Sequence, residues 1–344
     1  MSSGIVQLIA VGAQDEHIIG DPEISFFTST FKRHSNFSQS LEKQTIQGAV
    51  KNNSMSSIRF ERNGDLLGYT YFTLDNNTNS VDIQDWGRVI DKVELLIGGQ
   101  VIDVQDHDFT EKIAIDTYAQ NVTKSSNGTH PGASARSYFY PLRFFFCEGP
   151  QSAIPLVALQ YHTVDLRIYW GPEASNYNVE AYANYYYLDN EERGMMTSRK
   201  HDILITQVQK NIPSGELVQE LVFNHPVKYI ACSNTNSEST LTSIDNKIKM
   251  SINGTDIGAY KFAKPHYVDI MSYYHTNFVT SPDFFLHCFC LNTSSLQPSG
   301  SLNFSRLDSV KIHSETKPLI DPIYGVNYNI LRVNNGMAGL MYAN

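Results

Sequence analysis

The sequence predicts an all-β fold in which two eight-stranded jelly rolls follow one another, with only short helical insertions. Aromatic residues make up 12% of the chain, and they favour pleated strands over helices. Short apolar runs are separated by turns rich in Gly, Pro and Asn, and hardly any stretch has a helical period. A chain of 344 residues is long for one sandwich and comfortable for two. Together these observations predict a double jelly roll.

The clearest strand in the sequence ends at Trp170. Val164, Leu166, Ile168 and Trp170 alternate with more polar residues, and only a strand places all four on one face. Burying such a row stabilises the fold by roughly 1.5–3 kcal/mol per side chain. We therefore expect this row to form one wall of a core.

The chain begins with a predicted arm over residues 1–24. Gly12 and the Gly20-Asp21-Pro22 triplet interrupt it too often for a long regular element. Strand-like sequence begins at Ile24 and continues through Phe31. Two further strands are expected within residues 57–73, on either side of a turn.

Two glycine-containing turns predict β-hairpins. The first joins the apolar runs of residues 93–102 through Gly98-Gly99. The second joins those of residues 247–257 through Asn253-Gly254. Both turns can adopt positive φ angles at little cost, which is the condition for a tight hairpin.

The remaining elements lie between these hairpins. The best helical candidate is Asp108–Gln120, with Asp108 as the cap and Glu111 three residues later. Residues 121–136 are predicted as an exposed loop, the aromatic run Phe144–Cys147 as a strand, and Val179–Leu188 as another. Charged residues then dominate 189–201, where we place the boundary between jelly roll 1 (25–195) and jelly roll 2 (196–344).

The second half of the chain repeats landmarks of the first in the same order. The two hairpin turns correspond, with Gly99 and Gly254 separated by 155 positions. Phe289-Cys290 and the strand-like 309–312 correspond to Phe146-Cys147 and 165–168 at offsets of 143 and 144. Nearly constant offsets predict a duplicated domain with trimmed loops, although any two β domains share hairpins and alternating strands.

Charge and composition exclude several classes of protein. The net charge is −9, and the longest basic run is Lys32-Arg33-His34, whereas a nucleic-acid coat normally has a basic arm or stripe. We therefore expect no direct nucleic-acid contact. Charged residues make up only 18% of the chain, which fits a surface largely covered by copies of itself.

The sequence contains no targeting or disulfide pattern. The apolar run from Ile5 to Val11 is short and has no basic residue before it, so we do not expect a signal peptide. No stretch is apolar over the 18 residues that a membrane span needs.

Four cysteines do not form a secreted framework, and folding in a reducing cytoplasm fits best. Eight N-x-S/T sequons are therefore not expected to be used. Their asparagines are Asn36, Asn52, Asn76, Asn121, Asn127, Asn253, Asn292 and Asn303.

Signatures of catalysis and of cofactor binding are missing from the sequence. It has no G-x-S-x-G, no P-loop, no G-x-G-x-x-G after a strand and no H-E-x-x-H. His162 has no nucleophile or carboxylate tied to it by any motif, and a core or interface histidine is the better interpretation. We expect no enzyme activity, no catalytic residues and no cofactor.

Two short stretches resemble metal sites without completing one. His287-Cys288-Phe289-Cys290 offers three possible ligands, one His and two Cys, but zinc needs four ligands and no second pair has a recognisable spacing. Asp75–Asn79 begins like a calcium loop and then has Ser80 and Trp86 where Gly and Glu are required. We expect no metal site, a buried thiol pair at the first stretch and a turn at the second.

Two alternatives to a purely structural role remain open. Tyr182, Tyr185, Tyr186 and Tyr187 would form the aromatic platform of a glycan-binding attachment protein, although a half-buried strand or a subunit contact is the better interpretation of these residues. An enzyme of the cupin type would need several His and carboxylate ligands converging in one barrel. The sequence offers no such cluster.

Four blocks of sequence, in order from residue 12 to the C-terminus, resemble the major capsid proteins of nucleocytoplasmic large DNA viruses, particularly those of algae. The blocks are Ala13–Phe37, Pro141–Ile168 with Ile154–His162 at its centre, Gln297–Asp308, and Tyr328–Leu340. The resemblance covers essentially the whole chain. The chain is shorter than many members of this family, whose longer loops sometimes carry glycans.

The resemblance implies a double jelly roll, three copies of which form a homotrimeric capsomer with a near-hexagonal outline. Such capsomers tile an icosahedral virion shell, together with minor capsid and penton proteins, around an internal membrane. It implies synthesis and assembly in the host cytoplasm. Pro155 and Pro298 are expected to set turns or strand starts, and the arm around Gln14-Asp15 is expected to tie neighbouring capsomers or the inner face together.

Overall fold

The computed structural model of the protein describes residues 3–74, 86–118, 139–233, 241–277 and 283–343. By their contacts they divide into two units, Met1–Asn36 and Phe37–Asn344. The first unit contains two short helices, α1 (Ser3–Ile9) and α2 (Glu16–Ile19). The predicted strand from Ile24 through Phe31 is wrong. Phe26 and Phe27 are 89% and 98% exposed, and the described backbone of this stretch forms turns rather than a strand.

Over the residues that the structure describes, the first sandwich has nine strands in two antiparallel sheets. Sheet 1 has the order β1-β9-β4-β7, and sheet 2 has the order β2-β3-β8-β5-β6. The strands are β1 (Phe37–Gln44), β2 (Ile46–Gln47), β3 (Met55–Phe60), β4 (Leu66–Leu74), β5 (Ile90–Ile97), β6 (Gln100–Asp106), β7 (Phe139–Pro141), β8 (Val164–Trp170) and β9 (Val179–Leu188).

The second sandwich repeats this arrangement. Sheet 3 has the order β10-β19-β12-β16 with β17 and β20 beside it, and sheet 4 has the order β11-β18-β13-β14 with β15 beside it. The strands are β10 (His201–Asn211), β11 (Val218–Glu220), β12 (Pro226–Ser233), β13 (Lys247–Ile252), β14 (Thr255–Asp256), β15 (Lys261–Phe262), β16 (Phe284–Cys288), β17 (Leu302–Asn303), β18 (Val310–Ser314), β19 (Ile323–Asn334) and β20 (Met337–Leu340). The predicted fold class, two tandem jelly rolls with short helical insertions, is confirmed.

Short helical segments connect the strands. Helix α3 is a wide π-type turn (Phe109–Ile113) that continues as an α-helical turn (Ala114–Tyr118). Helix α4 (Asn190–Ser198) joins the sandwiches, and helix α5 repeats the construction of α3 with Lys264–Ile270 and Met271–His275. Single 3₁₀ turns occupy Trp86–Arg88, Phe145–Cys147, Pro150–Ser152, Leu156–Ala158, Ala174–Asn176 and Phe304–Arg306. Among the described residues, none of the helices is long and apolar enough to cross a membrane.

The predicted core wall on β8 is confirmed. Val164, Leu166, Ile168 and Trp170 are between 0% and 2% exposed, whereas the residues between them are half-buried. Strand β8 is central in sheet 2, so neighbours on both sides hold its register. A central strand with one face on the core produces this alternation.

Both predicted hairpins are also confirmed. Gly98 and Gly99 turn the chain between β5 and β6 with φ angles of 58° and 81°. Asn253 and Gly254 do the same between β13 and β14 with 48° and 78°. Positive φ at both positions is the requirement that glycine and asparagine meet best.

The aromatic run Phe144–Cys147 is not a strand, and this prediction was wrong. It forms a 3₁₀ turn, and Phe144, Phe145 and Phe146 are 0%, 3% and 1% exposed. A strand would have directed Phe145 away from the other two, whereas a tight turn inserts all three rings into the core. The burial of all three phenylalanine rings therefore explains why this segment forms a turn rather than a strand.

The helix predicted from Asp108 is confirmed over 109–118, but its predicted cap is wrong. Asp108 has helical backbone angles, and the carboxylate of Asp106 accepts the hydrogen bond from the Phe109 N–H at 2.9 Å. Asp108 instead pairs with Lys112 one turn later. The last two predicted helical residues, the loop at 121–136 and the calcium-like Asp75–Asn79 lie outside the described residues.

Candidate functional site: the junction between the two sandwiches

The apolar part of the junction is helix α3 lying on the outer face of sheet 3. Phe109 and Ile113 are 0% and 1% exposed, and the ring of Phe109 lies 5.9 Å from that of Tyr324, centroid to centroid. One buried cluster therefore joins the sandwiches. Its members are Phe109, Ile113, Ala114 and Tyr118 from α3, with Tyr229, Ala231, Phe284, Leu286, Cys290, Tyr324 and Val326 from the second sandwich.

The polar part of the junction runs between strands β6 and β10. The Val208 N–H donates to Oδ1 of Asp103 at 2.8 Å, and the Gln207 side chain donates to the Ile102 carbonyl. At the end of β6, Asp106 accepts hydrogen bonds from Lys210 at 2.6 Å and from the Tyr324 hydroxyl at 2.7 Å. These bonds favour one register between the sandwiches, because buried polar groups such as Asp103 and Gln207 need hydrogen-bond partners.

Asp103 is the most perturbed acid of the junction. Its side chain is 4% exposed, and its second oxygen accepts a hydrogen bond from the Gln105 amide at 2.9 Å. Burial raises the pKa of Asp103 to about 7, although its hydrogen bonds act in the opposite direction. The carboxyl group thus changes charge near neutral pH in the middle of a structural contact.

A clamp formed by the C-terminal hairpin closes the junction. The Tyr161 N–H donates to the Gly336 carbonyl at 2.8 Å, and Nδ1 of His162 lies 3.2 Å from the nitrogen and 2.9 Å from the oxygen of Ala338. The ring of His162 also packs on Gly98, where an added Cβ would lie 2.3 Å from Nδ1. His162 therefore holds β20 against the first hairpin, as an interface histidine.

The cluster at His287–Cys290 borders the same junction. The thiols of Cys288 and Cys290 share a hydrogen bond, which lowers the pKa of Cys290 and raises that of Cys288. Burial lowers the pKa of Lys228 to about 8, and its ammonium donates to the carbonyls of Thr293 and Ser295 at 2.6 and 3.0 Å. Within the described ranges, no three His, Cys, Asp or Glu side chains are placed to hold a metal ion.

His287 points away from these thiols. Its ring lies 5.9 Å from that of Tyr267, centroid to centroid. Burial lowers the pKa of His287 to about 4, and the nearby His266 and Lys261 act in the same direction. The structure therefore divides the predicted ligand cluster into a thiol pair beside a lysine and a neutral imidazole.

The four tyrosines of β9 do not form one exposed platform. Tyr185 is fully buried and donates to Gln44 at 3.2 Å, and Tyr187 donates to Glu42 at 3.1 Å. Tyr182 lies on the opposite, outer face of sheet 1, where its ring stacks on Tyr71 at 5.7 Å with an interplanar angle of 17°. This stacking covers one face of the Tyr182 ring.

Sequence reasoning did not identify Asp103, Gln207 or Lys228. Asp103 alternates with Ile102 and Val104, which would equally describe the solvent face of an edge strand. Its partner Val208 is 105 residues away, and no local pattern links the two. This polar face of β6 is buried only because the second sandwich covers it.

Comparisons with known proteins agree with this architecture. A family model described as the N-terminus of the major capsid protein matches residues 25–189, and one described as the major capsid protein of large eukaryotic DNA viruses matches residues 192–339. The major capsid protein of Pyramimonas orientalis virus is 31% identical, with all of both chains covered. That of Paramecium bursaria Chlorella virus 1 is 29% identical, again over all of both chains.

Solved structures give the same result for the fold. The quasi-atomic model of the PBCV-1 virus capsid has a TM-score of 0.75 at 25% identity, covering 93% of this chain and 100% of that one. The Faustovirus major capsid protein has a TM-score of 0.64 at 13% identity, with 94% of each chain covered. The buried residues of the junction thus have a structural role, which is to join the two sandwiches of a capsid protein, rather than a role in an active site. The chain belongs to the major capsid protein family of large eukaryotic DNA viruses.

Proposed function

We propose that three copies of the chain form a capsomer with a near-hexagonal outline, and that such capsomers tile an icosahedral virion shell. The observation that supports this proposal is the repetition of one sandwich topology within a single chain, whose two sandwiches share a buried cluster. Two similar sandwiches per chain give a trimer six comparable walls. A threefold particle with six such walls can pack in a hexagonal lattice.

We propose three functional segments along the chain. Residues 1–24 act as an arm, residues 25–195 as jelly roll 1 and residues 196–344 as jelly roll 2. The arm bears several apolar side chains that are more than half exposed, such as Leu8 at 78% and Ile18 at 83%. Apolar side chains in this state favour a covering partner, and we assign that partner to a neighbouring capsomer or the inner face of the shell.

Further partners of the capsomer are proposed on the same basis. They are minor capsid and penton proteins at the edges of the lattice and an internal membrane beneath it, with assembly in the host cytoplasm. Direct packaging of nucleic acid is not proposed, because the chain carries a net charge of −9 and residues 1–24 contain four acidic residues and no Lys or Arg. Repulsion between phosphates and such a surface opposes contact.

The mass of the particle in solution tests the capsomer directly. Three chains of 38.8 kDa give about 116 kDa by light scattering or native mass spectrometry. Negative-stain images should then show a near-hexagonal outline. A single chain of 38.8 kDa at the highest concentration reached would contradict the proposal.

Removal of residues 2–20 tests the arm separately. The shortened chain should still form trimers, because the strands begin at Phe37, but should assemble into shells poorly. Shells of normal yield and size from this variant would show that the arm does not tie capsomers together.

A glycan-binding role is not favoured by the geometry. A sugar ring stacks on an open aromatic face, whereas Tyr71 and Tyr182 stack on each other and Phe139 lies edge-on to Tyr71 at 5.3 Å. Binding of isolated capsomers to a glycan array, lost in Tyr182→Ala, would revive this alternative.

A further inference from the structure

We infer that α5 of one copy packs on the outer face of sheet 1 of the next copy, and so repeats between chains the contact that α3 makes with sheet 3 inside one chain. This inference rests on the proposed trimer and names the surfaces that close it. The occupant of the outer face of sheet 1 is thus a second copy of this chain.

The four strands of sheet 1 correspond in order to the four strands along the main path of sheet 3. Sheet 1 has the order β1-β9-β4-β7 and sheet 3 has the order β10-β19-β12-β16, so each begins with the first strand of its sandwich beside a strand from its end. Each has a register shift in its central pair, between Leu67 and Thr70 in one and between Val227 and Tyr229 in the other. The outer face of sheet 1 is therefore the counterpart of the face that α3 covers.

The two helices correspond in the same way. Each follows a hairpin with positive φ at both turn residues, and each begins with a wide turn that continues as five α-helical residues. The wide turns end at Ile113 in α3 and at Ile270 in α5. In α3 this last position is the isoleucine that packs into the junction within the chain. The equivalent position of α5, in the second sandwich, is also an isoleucine.

The counterpart surfaces differ in what covers them. Ile113 is 1% exposed beneath the junction, whereas Ile270 is 45% exposed. Tyr273 and Tyr274, in the last turn of α5, are 80% and 72% exposed, and their rings lie 5.0 Å apart. A helix that presents three large apolar side chains to solvent has the composition of an interface core.

The outer face of sheet 1 is equally aromatic. Tyr69 is 43% exposed, and Tyr71 and Tyr182 are half-buried beside Phe139. In sheet 3 the same face presents Tyr229, Ala231 and Tyr324 to Phe109 and its neighbours. The contact between α3 and sheet 3 consists of aromatic side chains on the sheet and of aromatic and aliphatic side chains on the helix. A contact between α5 and sheet 1 would have the same composition.

The distribution of charge favours this pairing. Residues 37–195 contain 12 Lys and Arg against 20 Asp and Glu, a net charge of −8, whereas residues 196–344 contain 12 against 11, a net charge of +1. A contact between jelly roll 2 of one copy and jelly roll 1 of the next avoids placing two strongly acidic domains together. A symmetric contact between two copies of jelly roll 1 would do the opposite.

The contact is head-to-tail, because its two surfaces lie on different sandwiches of the chain. Head-to-tail contacts form closed rings when the rotation between copies is suitable. A third of a turn per copy gives three contacts and leaves no copy with an open surface. The same two surfaces therefore account for a trimer rather than a dimer.

Two variants separate this inference from the proposed function. Tyr273→Ser combined with Tyr274→Ser removes the helix surface, and Tyr71→Arg disrupts the sheet surface. Each should be a folded monomer by native mass spectrometry and circular dichroism. The control Val222→Ser, which removes a 75% exposed apolar side chain elsewhere, should leave the trimer intact.

Mixing the two variants tests the direction of the contact. Each variant retains one of the two surfaces, so the mixture should form a dimer of about 78 kDa, two chains of 38.8 kDa, and no closed trimer. Trimers formed by either variant alone, or folded variants that stay monomeric when mixed across a concentration series, would overturn the inference. A wild-type chain that is itself monomeric would instead overturn the proposed trimer.

Discussion

Asp103 lies where strand β6 of the first sandwich meets β10 of the second, and its replacement by asparagine should change how stability depends on pH. The side chain is 4% exposed and accepts hydrogen bonds from the Val208 N–H and the Gln105 amide. Asparagine keeps the shape and an acceptor for the Val208 N–H, but it cannot ionise. The difference between the two proteins therefore isolates one carboxyl group.

The expected magnitude follows from the pKa of Asp103. Burial raises the pKa from 3.8 to about 7, so between these values the folded protein binds a proton that the unfolded chain releases. The stability that this proton contributes is fully present below pH 3.8 and is lost as the pH rises to about 7. A shift of this size corresponds to a loss on the order of 4 kcal/mol across the window.

Urea unfolding between pH 4 and pH 8 measures this effect. The unfolding free energy of Asp103→Asn, relative to wild type, should rise through the window from pH 3.8 to about 7 and then level off. Asp256→Asn, which changes a carboxylate that is 51% exposed and outside the junction, is the matched control. Parallel pH profiles for wild type and Asp103→Asn would refute the argument that this carboxyl group is buried by the junction.

Three other predictions test separate parts of the fold. Leu166→Asp places a carboxyl group at a position that is 0% exposed and should cost on the order of several kcal/mol, so size-exclusion chromatography should show no folded trimer. Gly98→Ala should lower the unfolding temperature more than Gly99→Ala, because both have positive φ but only Gly98 would press a Cβ on His162. Lys228→Met should abolish the rise in stability from pH 8 to 10.5 that follows from the lowered pKa of Lys228, measured by urea unfolding.

The parts of the fold that were predictable are those with a local cause. The alternation around Leu166 and the paired positive-φ turns at Gly98 and Asn253 each reflect a few neighbouring residues. The structure of Phe144–Cys147 has no local cause of this kind. Its turn forms because all three phenylalanine rings are buried in the core, and this depends on the rest of the fold. The stretch from Ile24 to Phe31 has strand-like composition but forms turns in the structure, and composition alone does not supply the partner that a strand requires.

For the junction, the sequence could indicate the role of individual residues but not which residues contact one another. His162 could be identified as an interface histidine because it has no chemical partners nearby in the sequence. Its actual partner is Ala338, 176 residues away. The association of Cys288 with Lys228 depends in the same way on the pairing of β12 with β16. Long-range pairing of this kind is set by the whole fold, which a single sequence does not reveal.

The repeat between the sandwiches is inexact at the place that matters for assembly. Strand β6 has seven residues and forms the hydrogen-bonded junction with β10, whereas its counterpart β14 has only two, both exposed. A contact between copies can therefore reuse the aromatic cover of the helix but not the buried polar ladder beside it. Buried hydrogen bonds between strands fix register and are costly to leave unmade. Within the chain the two sandwiches are thus joined by buried hydrogen bonds as well as apolar packing, whereas the contact that we infer between chains would rest mainly on apolar burial and lack such a ladder.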